Sequence, residues 1–324
     1  MTTPQSSIFK TLSTDRKVIN WEDYLRHLTP VENHQGVWFK REDYFAPLGY
    51  GGPNGSKMRQ LIWVMSKNRG GKSHVLSGAS VRSPQLSMSA VVGAHYGLQT
   101  RLIVGATKPS SIMRHPNPYV AAGFGAHFEY VNVAYNPALQ REVKRLTRPD
   151  SLVVEYGITL DHKRHEPEQV LGFHDVGAHQ TANIPDEVTN LIVPAGSCNS
   201  LGSVLLGLSR DSKNISTLFT VGIGPSKHQW LKERMATIGV DTEKLPFLWK
   251  HFSLHDTGYS TYQDMVHERF DGIDFHPTYE GKCIRWLKEK GWVNGDDTSM
   301  FWIIGSEPKI DVIKPFFTHP EATV

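Results

Sequence analysis

From residue 56 to residue 305, short apolar runs alternate with amphipathic stretches, and that alternation restricts the chain to folds in which helices connect parallel strands. "SKMRQLIWVMSKNRG" (56–70) predicts a helix, "SHVLSGA" (73–79) a strand, "SPQLSMSAVVGAHYG" (83–97) a helix and "TRLIVGA" (100–106) a strand. The same rhythm continues through helix 118–125, strand 127–133, helix 137–148 and strand 151–157, which completes one βα module. A histidine-rich connection, 161–185, leads to a second series: strand 190–196, helix 201–210, strand 217–224 and helix 227–239. "TYQDMVHERF" (261–270) and "EGKCIRWLKEKG" (280–291) then read as helices and "MFWIIG" (300–305) as a strand. The expected architecture is α/β, two βα modules with parallel twisted sheets and a ligand cleft between them at the carboxyl ends of the strands. Residues 1–58 and 165–324 form the expected large domain and 59–164 the small one.

Charge and cysteine content exclude several classes. The 35 Lys and Arg against 32 Asp and Glu leave a net charge of +3, with no concentrated basic stripe, so nucleic acid is not the expected partner. Two cysteines, Cys198 and Cys283, make neither a disulfide framework nor a metal motif, which points to a reducing compartment. The N-terminus lacks an apolar leader, and no run of 18 apolar residues occurs, so the expectation is a cytoplasmic protein with no membrane partner. Histidines 162, 165, 174 and 179 share one segment without H-E-x-x-H spacing, and read as solvated loop residues with no metal site. "GKS" at Gly71, Lys72 and Ser73 imitates a phosphate loop, but Ser66 stands where the first glycine belongs, and the helix precedes the strand rather than following it.

Two other stretches carry chemistry. In "VPAGSCNSLGSVLLGL" (193–208) an apolar strand runs into Gly196, Ser197, Cys198, Asn199 and Ser200 directly before a helix, an arrangement that offers backbone N–H groups and a helix dipole to an anion. In "GGPNGSKMRQL" (51–61) Lys57 opens a helix behind a glycine-rich loop, where burial and the positive helix end lower an amine's pKa and make it a Schiff-base former. A reactive lysine together with a remote phosphate cradle matches a cofactor that carries both an aldehyde and a phosphate, pyridoxal 5'-phosphate (PLP).

From about residue 38 to 306 the chain resembles the fold type II PLP enzymes, the tryptophan synthase β-like superfamily, nearest to the branch of 1-aminocyclopropane-1-carboxylate (ACC) deaminase and D-cysteine desulfhydrase. "KRED" (40–43) followed by "NGSKMRQL" resembles the lysine segment, which implies Lys57 as the Schiff-base lysine. "SGASVRSPQLSMSAVVGAHYGL" (77–98) resembles the segment whose helix start receives the substrate carboxylate, and implies Ser80, Ser83 and Gln85 in substrate binding. "AGSCNSLGS" stands at the phosphate loop, implying cofactor contacts from residues 196–200. "TGYSTY" places Tyr259 beside the substrate, and "HPTYEGK" places Tyr279 there and Glu280 at the pyridine nitrogen.

The resemblance thus implies that Glu280 keeps the ring protonated as an electron sink for a carbanion at the substrate's α-carbon, while Lys57 moves protons. Tyr259, Tyr279 and Ser83 are the further candidates for proton transfer or substrate contact. Three departures mark a rebuilt substrate site. Pro84 replaces an asparagine that bonds the cofactor's ring oxygen, Cys198 and Asn199 replace glycines, and "IIGSEP" replaces H-x-G-G. Deamination or β-elimination of a small amino acid is the main expectation. Decarboxylation or isomerisation of a larger amino-acid conjugate, such as an amino-acid-modified nucleotide or DNA base, is the alternative, and a binding module without catalysis a third. A homodimer is the expected assembly.

Overall fold

A computed structural model describes residues 20–106, 109–223, 226–254, 264–291, 298–319 and 321. The first sheet to form along the chain starts with a hairpin, β1 (Val31–His34) and β2 (Val37–Arg41), joined by a turn at Gln35 and Gly36, both with positive φ. After a 3-10 turn at Glu42–Tyr44, the chain enters α1 (Ser56–Asn68) and then the smaller module. That module contains β3 (His74–Gly78), α2 (Pro84–His95), β4 (Gln99–Gly105), α3 (Pro109–Ile112), α4 (Pro116–Gly123), β5 (His127–Val131), α5 (Asn136–Leu146) and β6 (Ser151–Val154). Its four strands lie in the order β5-β4-β3-β6 and are all parallel.

The larger sheet has the order β1-β2-β12-β7-β8-β9, in which β7 is Asn190–Ala195, β8 Thr217–Gly222, β9 Leu248–Ser253 and β12 Ser299–Ile303. All its pairings are parallel except that of β1, the edge strand. Helices α6 (Pro167–Ala178), α7 (Asn199–Arg210), α8 (His228–Thr237), α9 (Glu280–Glu289) and α10 (Ile310–Ile313) complete the described elements, with a two-strand ribbon of β10 (Arg269–Phe270) and β11 (Ile273–Asp274). Two parallel sheets wound with helices are the architecture expected from the alternation.

Two local expectations are corrected. The segment 161–185 is not a solvated connection: it carries α6, whose Val170, Phe173 and Val176 are buried and whose start is closed by a capping box between Glu166 and Gln169. His174 is itself fully buried in it. The expected helix 261–270 is not formed over its described part, 264–270, where the chain carries no helix and ends in β10. Asp271 and Gly272, both with positive φ, close that ribbon as a two-residue turn. The Gly71-Lys72-Ser73 stretch follows α1 and precedes β3 as the sequence indicates, and Lys72 Nζ donates to the Pro149 carbonyl at 2.8 Å. No helix among the described residues is long and apolar enough to cross a membrane.

Candidate active site

The carboxyl ends of β7, β8 and β12 open onto one cleft, closed on its other side by the start of α2. It holds about 580 Å³, part of it open to solvent, and its lining includes Lys57, Pro84, Met88, Cys198, Ser200, His276, Tyr279 and Glu280. Sequence-distant segments meet there: the lysine helix, the 196–200 turn and the "HPTYEGK" turn.

Lys57 owes its position to the loop before it. Gly55 adopts φ +94°, and a Cβ on it would lie 2.1 Å from the Ile304 carbonyl oxygen, so only glycine lets the loop pass this close to the end of β12. Ser56 N donates to that same carbonyl at 2.9 Å. The charged "KRED" stretch is buried: Lys40, Arg41, Glu42 and Asp43 are all at most 4% exposed. Glu42 accepts from Ser56 Oγ (3.0 Å), Arg59 Nε (3.1 Å) and Thr29 Oγ1 (2.7 Å), which pins the first turn of α1 on both sides of Lys57. Gln60 Nε2 donates to the Asn199 carbonyl and to Ser203 Oγ, both at 3.2 Å, tying α1 to α7. Burial, and then the charge of Lys227, lower the Lys57 amine to about 8 against the pull of Glu280. Its Nζ lies 5.8 Å from the centroid of the Tyr279 ring.

The turn before α7 is open to an anion. Cys198 caps the helix in the left-handed region (φ 64°), a conformation that costs a residue with a Cβ about 1 kcal/mol, and where glycine would be unstrained. The first helical N–H with a backbone acceptor is that of Gly202, which reaches the Cys198 carbonyl at 2.9 Å. The N–H groups of Asn199, Ser200 and Leu201 have none among the described residues. Ser200 Oγ is buried without a partner. The Cys198 thiol is pushed up to about 11 by burial, against the pull of Lys227 and Lys57, and is therefore a neutral wall group. Asn199 points its side chain away from the cleft, to the Gly157 carbonyl (3.0 Å) and Thr159 Oγ1 (2.9 Å).

At α2 the opposite holds. Ser83 N donates to Ser80 O (2.8 Å), Pro84 has no N–H, Gln85 N donates to Ser83 Oγ (3.3 Å) and Leu86 N to Ser83 O (3.2 Å). Ser80 Oγ accepts from Arg82 N at 3.3 Å. Ser80, Ser83 and Gln85 do not line the cleft; Pro84 and Met88 do. The Gln85 side chain is 1% exposed, donates to Ser77 Oγ (2.8 Å) and accepts from Gly157 N (2.8 Å). Gln85 and Asn199 therefore grip the same 154–159 segment from opposite walls and set their spacing.

Glu280 is the first residue of α9 and is 2% exposed. Burial raises its carboxyl to about 7, although Oε1 accepts from Ile304 N (3.1 Å) and Gly305 N (3.3 Å) and Lys57 lies nearby. Tyr279, half-buried, precedes it. Tyr259 lies outside the described residues. Sequence reasoning missed His276, which is 3% exposed, lines the cleft and has an unpartnered Nε2. Among the described residues, no group of three or more His, Cys, Asp or Glu side chains could hold a metal ion.

These groups fit PLP. Open N–H donors and an orphaned hydroxyl suit its phosphate, an amine of lowered basicity suits its aldehyde, and a buried carboxyl suits its ring nitrogen. No protein-family model matches the chain. It is 37% identical to the O-seryl-dTMP PLP-dependent decarboxylase of Salmonella phage ViI, over 98% of this chain and 91% of that protein. Among solved structures, an ACC deaminase homologue superposes with a TM-score of 0.66 at 18% identity, covering 91% of this chain and 93% of the other. The processed form of threonine deaminase isoform 2 from Solanum lycopersicum gives 0.55 at 12% identity, with 87% and 80% covered. Serine racemase from Dictyostelium discoideum gives 0.54 at 13%, with 90% and 98% covered. The chain is therefore a PLP-dependent enzyme of fold type II, and belongs to the family of the phage O-seryl-dTMP decarboxylase.

Proposed function

We propose that this enzyme removes the α-carboxylate of an amino acid joined to a pyrimidine nucleotide, with a seryl–thymidylate conjugate as the substrate type. The 37% identity to the phage decarboxylase over nearly the full length of both chains carries this reading. The self-satisfied start of α2 supports it. A helix end whose N–H groups are already bonded grips a substrate carboxylate weakly, and Pro84 and Met88 give that wall an apolar surface. A carboxylate held without strong donors loses less on leaving as carbon dioxide.

When bound, PLP draws electrons from the α-carbon of an attached amino acid, so that a bond to that carbon can break. The chain's own groups take these roles in the proposal. The N–H groups of residues 199–201 and Ser200 Oγ hold the phosphate, and Glu280 faces the ring nitrogen. Lys57 Nζ carries the cofactor before substrate arrives, and afterwards gives a proton to the α-carbon that the carboxylate has left. Tyr279 covers the site beside it. The balance for a seryl conjugate is R–O–CH2–CH(NH3+)–COO− plus a proton giving R–O–CH2–CH2–NH3+ and carbon dioxide.

Deamination or β-elimination would instead release ammonia and, for the conjugate, break the bond to the β-oxygen. The test is to incubate the loaded enzyme with carboxyl-labelled O-seryl-dTMP and, separately, with D-cysteine, L-serine and ACC, measuring labelled carbon dioxide, ammonia and the aminoethyl product. Carbon dioxide and aminoethyl product in equal amounts from the conjugate alone are expected. Ammonia without carbon dioxide, from any of the four, would overturn the proposal in favour of the deaminase class.

A further inference from the structure

His276 occupies the first position of the "HPTYEGK" turn, 276–282. Its carbonyl accepts from Tyr279 N (3.1 Å) and Gly281 N (3.0 Å), so its backbone is part of the turn that starts α9 and places Glu280. Its ring meets that of Tyr279 edge-on, with centroids 4.9 Å apart and planes at 62°. The side chain is thus fixed relative to the two neighbours that flank the cleft.

The tautomer follows from one contact. Thr278 N donates to His276 Nδ1 at 3.2 Å, and a backbone N–H can only donate, so Nδ1 presents its lone pair. In a neutral imidazole the proton then sits on Nε2. The ring is neutral: burial, and next the charge of Lys57, bring it down to about 3. Nε2–H is therefore a buried donor that has no acceptor among the described residues, on a residue that lines the cleft. A buried donor without a partner is unfavourable in the empty protein, and an acceptor on a ligand in the cleft that His276 lines would satisfy it. Pro84, across the cleft, supplies no donor of any kind.

We propose that His276 is a fixed hydrogen-bond donor, through Nε2–H, to an anionic oxygen of the ligand in this cleft. Two oxygens have that chemistry, the ring oxygen of PLP and a carboxylate oxygen of the substrate. The inference does not depend on which reaction follows. A neutral imidazole gives a hydrogen bond without giving up its proton, so His276 positions the ligand and takes no part in acid–base steps.

The experiment uses the full-length protein labelled with 15N-histidine, with the His276 signals assigned by their loss in His276→Phe. In the apo-protein the account expects Nε2 protonated and Nδ1 not, unchanged between pH 5.5 and 8.5. On addition of PLP, and then of O-seryl-dTMP, the Nε2–H proton should move downfield. A shift with PLP alone assigns the ring oxygen, and a shift only with the conjugate assigns the substrate. A proton on Nδ1, titration within that pH range, or a signal indifferent to both ligands would each overturn the proposal. In parallel, His276→Phe should weaken the ligand identified by the shift roughly tenfold or more, and His276→Gln, which keeps an N–H at the same reach, should restore most of that loss. Equal binding by the Phe variant and wild type would also overturn it; if the Phe variant does not fold, the signals are assigned with His276→Gln and the shifts decide.

Discussion

Replacing Glu280 by Gln should make the apo-protein more stable and the enzyme slower. The carboxyl is 2% exposed, and burial raises it from the ordinary 4.5 to about 7. Between those values the native state holds a proton that the unfolded chain has released, so native stability falls as pH rises through that window. Above pH 7 the loss is complete, about 3 kcal/mol at 1.36 kcal/mol for each tenfold change in proton affinity. Gln has the same shape, accepts from Ile304 N and Gly305 N through its carbonyl oxygen, and never ionises. Urea unfolding of the apo-proteins should therefore show the variant ahead by about 3 kcal/mol at pH 8 and the two nearly equal at pH 4. Loading with PLP should stabilise wild type more than the variant, because only the carboxylate gains a cationic partner in the ring nitrogen. Turnover should fall by about 10- to 1000-fold. A variant no more stable than wild type at pH 8, or ahead by the same margin at both pH values, would refute the reasoning about burial.

Gly55→Ala should displace the loop that carries Lys57, since its Cβ would sit 2.1 Å from the Ile304 carbonyl; a loss of about 2 kcal/mol or more in urea and poor PLP retention on gel filtration are expected. Ser200→Ala removes a buried hydroxyl that has no protein partner, so the apo-protein should unfold at the same or slightly higher urea concentration, while PLP binding weakens by about 1–2 kcal/mol in equilibrium dialysis. PLP capture requires the neutral Lys57 amine, whose pKa is about 8, so stopped-flow rates should rise about tenfold per pH unit below 8 and level off above it.

Much of this site is written locally in the chain. The 193–208 stretch announces a strand, a small polar turn and a helix within sixteen residues, and the structure leaves its N–H groups open as that pattern implies. The lysine helix is equally direct. The support behind it is not, because "KRED" has the composition of a solvated turn, and only the fold shows Glu42 accepting from Ser56 and Arg59. The α6 helix was obscured by its histidines, although Val170, Phe173 and Val176 behind a Glu166–Gln169 cap were readable. At 261–270 the apolar spacing suggests a helix, while Asp271-Gly272 directly after it carries the stronger local instruction, a two-residue ribbon turn. Ser83 and Gln85 mark the right helix but not the cleft surface, since Pro84 between them is the residue that lines the cleft and the Gln85 amide is used up at Ser77 and Gly157. The orphaned Nε2 of His276 depends on a backbone contact two residues away and on the cleft, and has no counterpart in spacing or composition.

The central claim is that this cleft holds PLP on Lys57, and borohydride reduction of the loaded enzyme followed by peptide mass spectrometry tests it most directly. The account predicts one pyridoxyl group per chain, on the peptide that contains Lys57, and none in Lys57→Ala. The group on another lysine, such as Lys72 at its surface turn or Lys227 before α8, would contradict it.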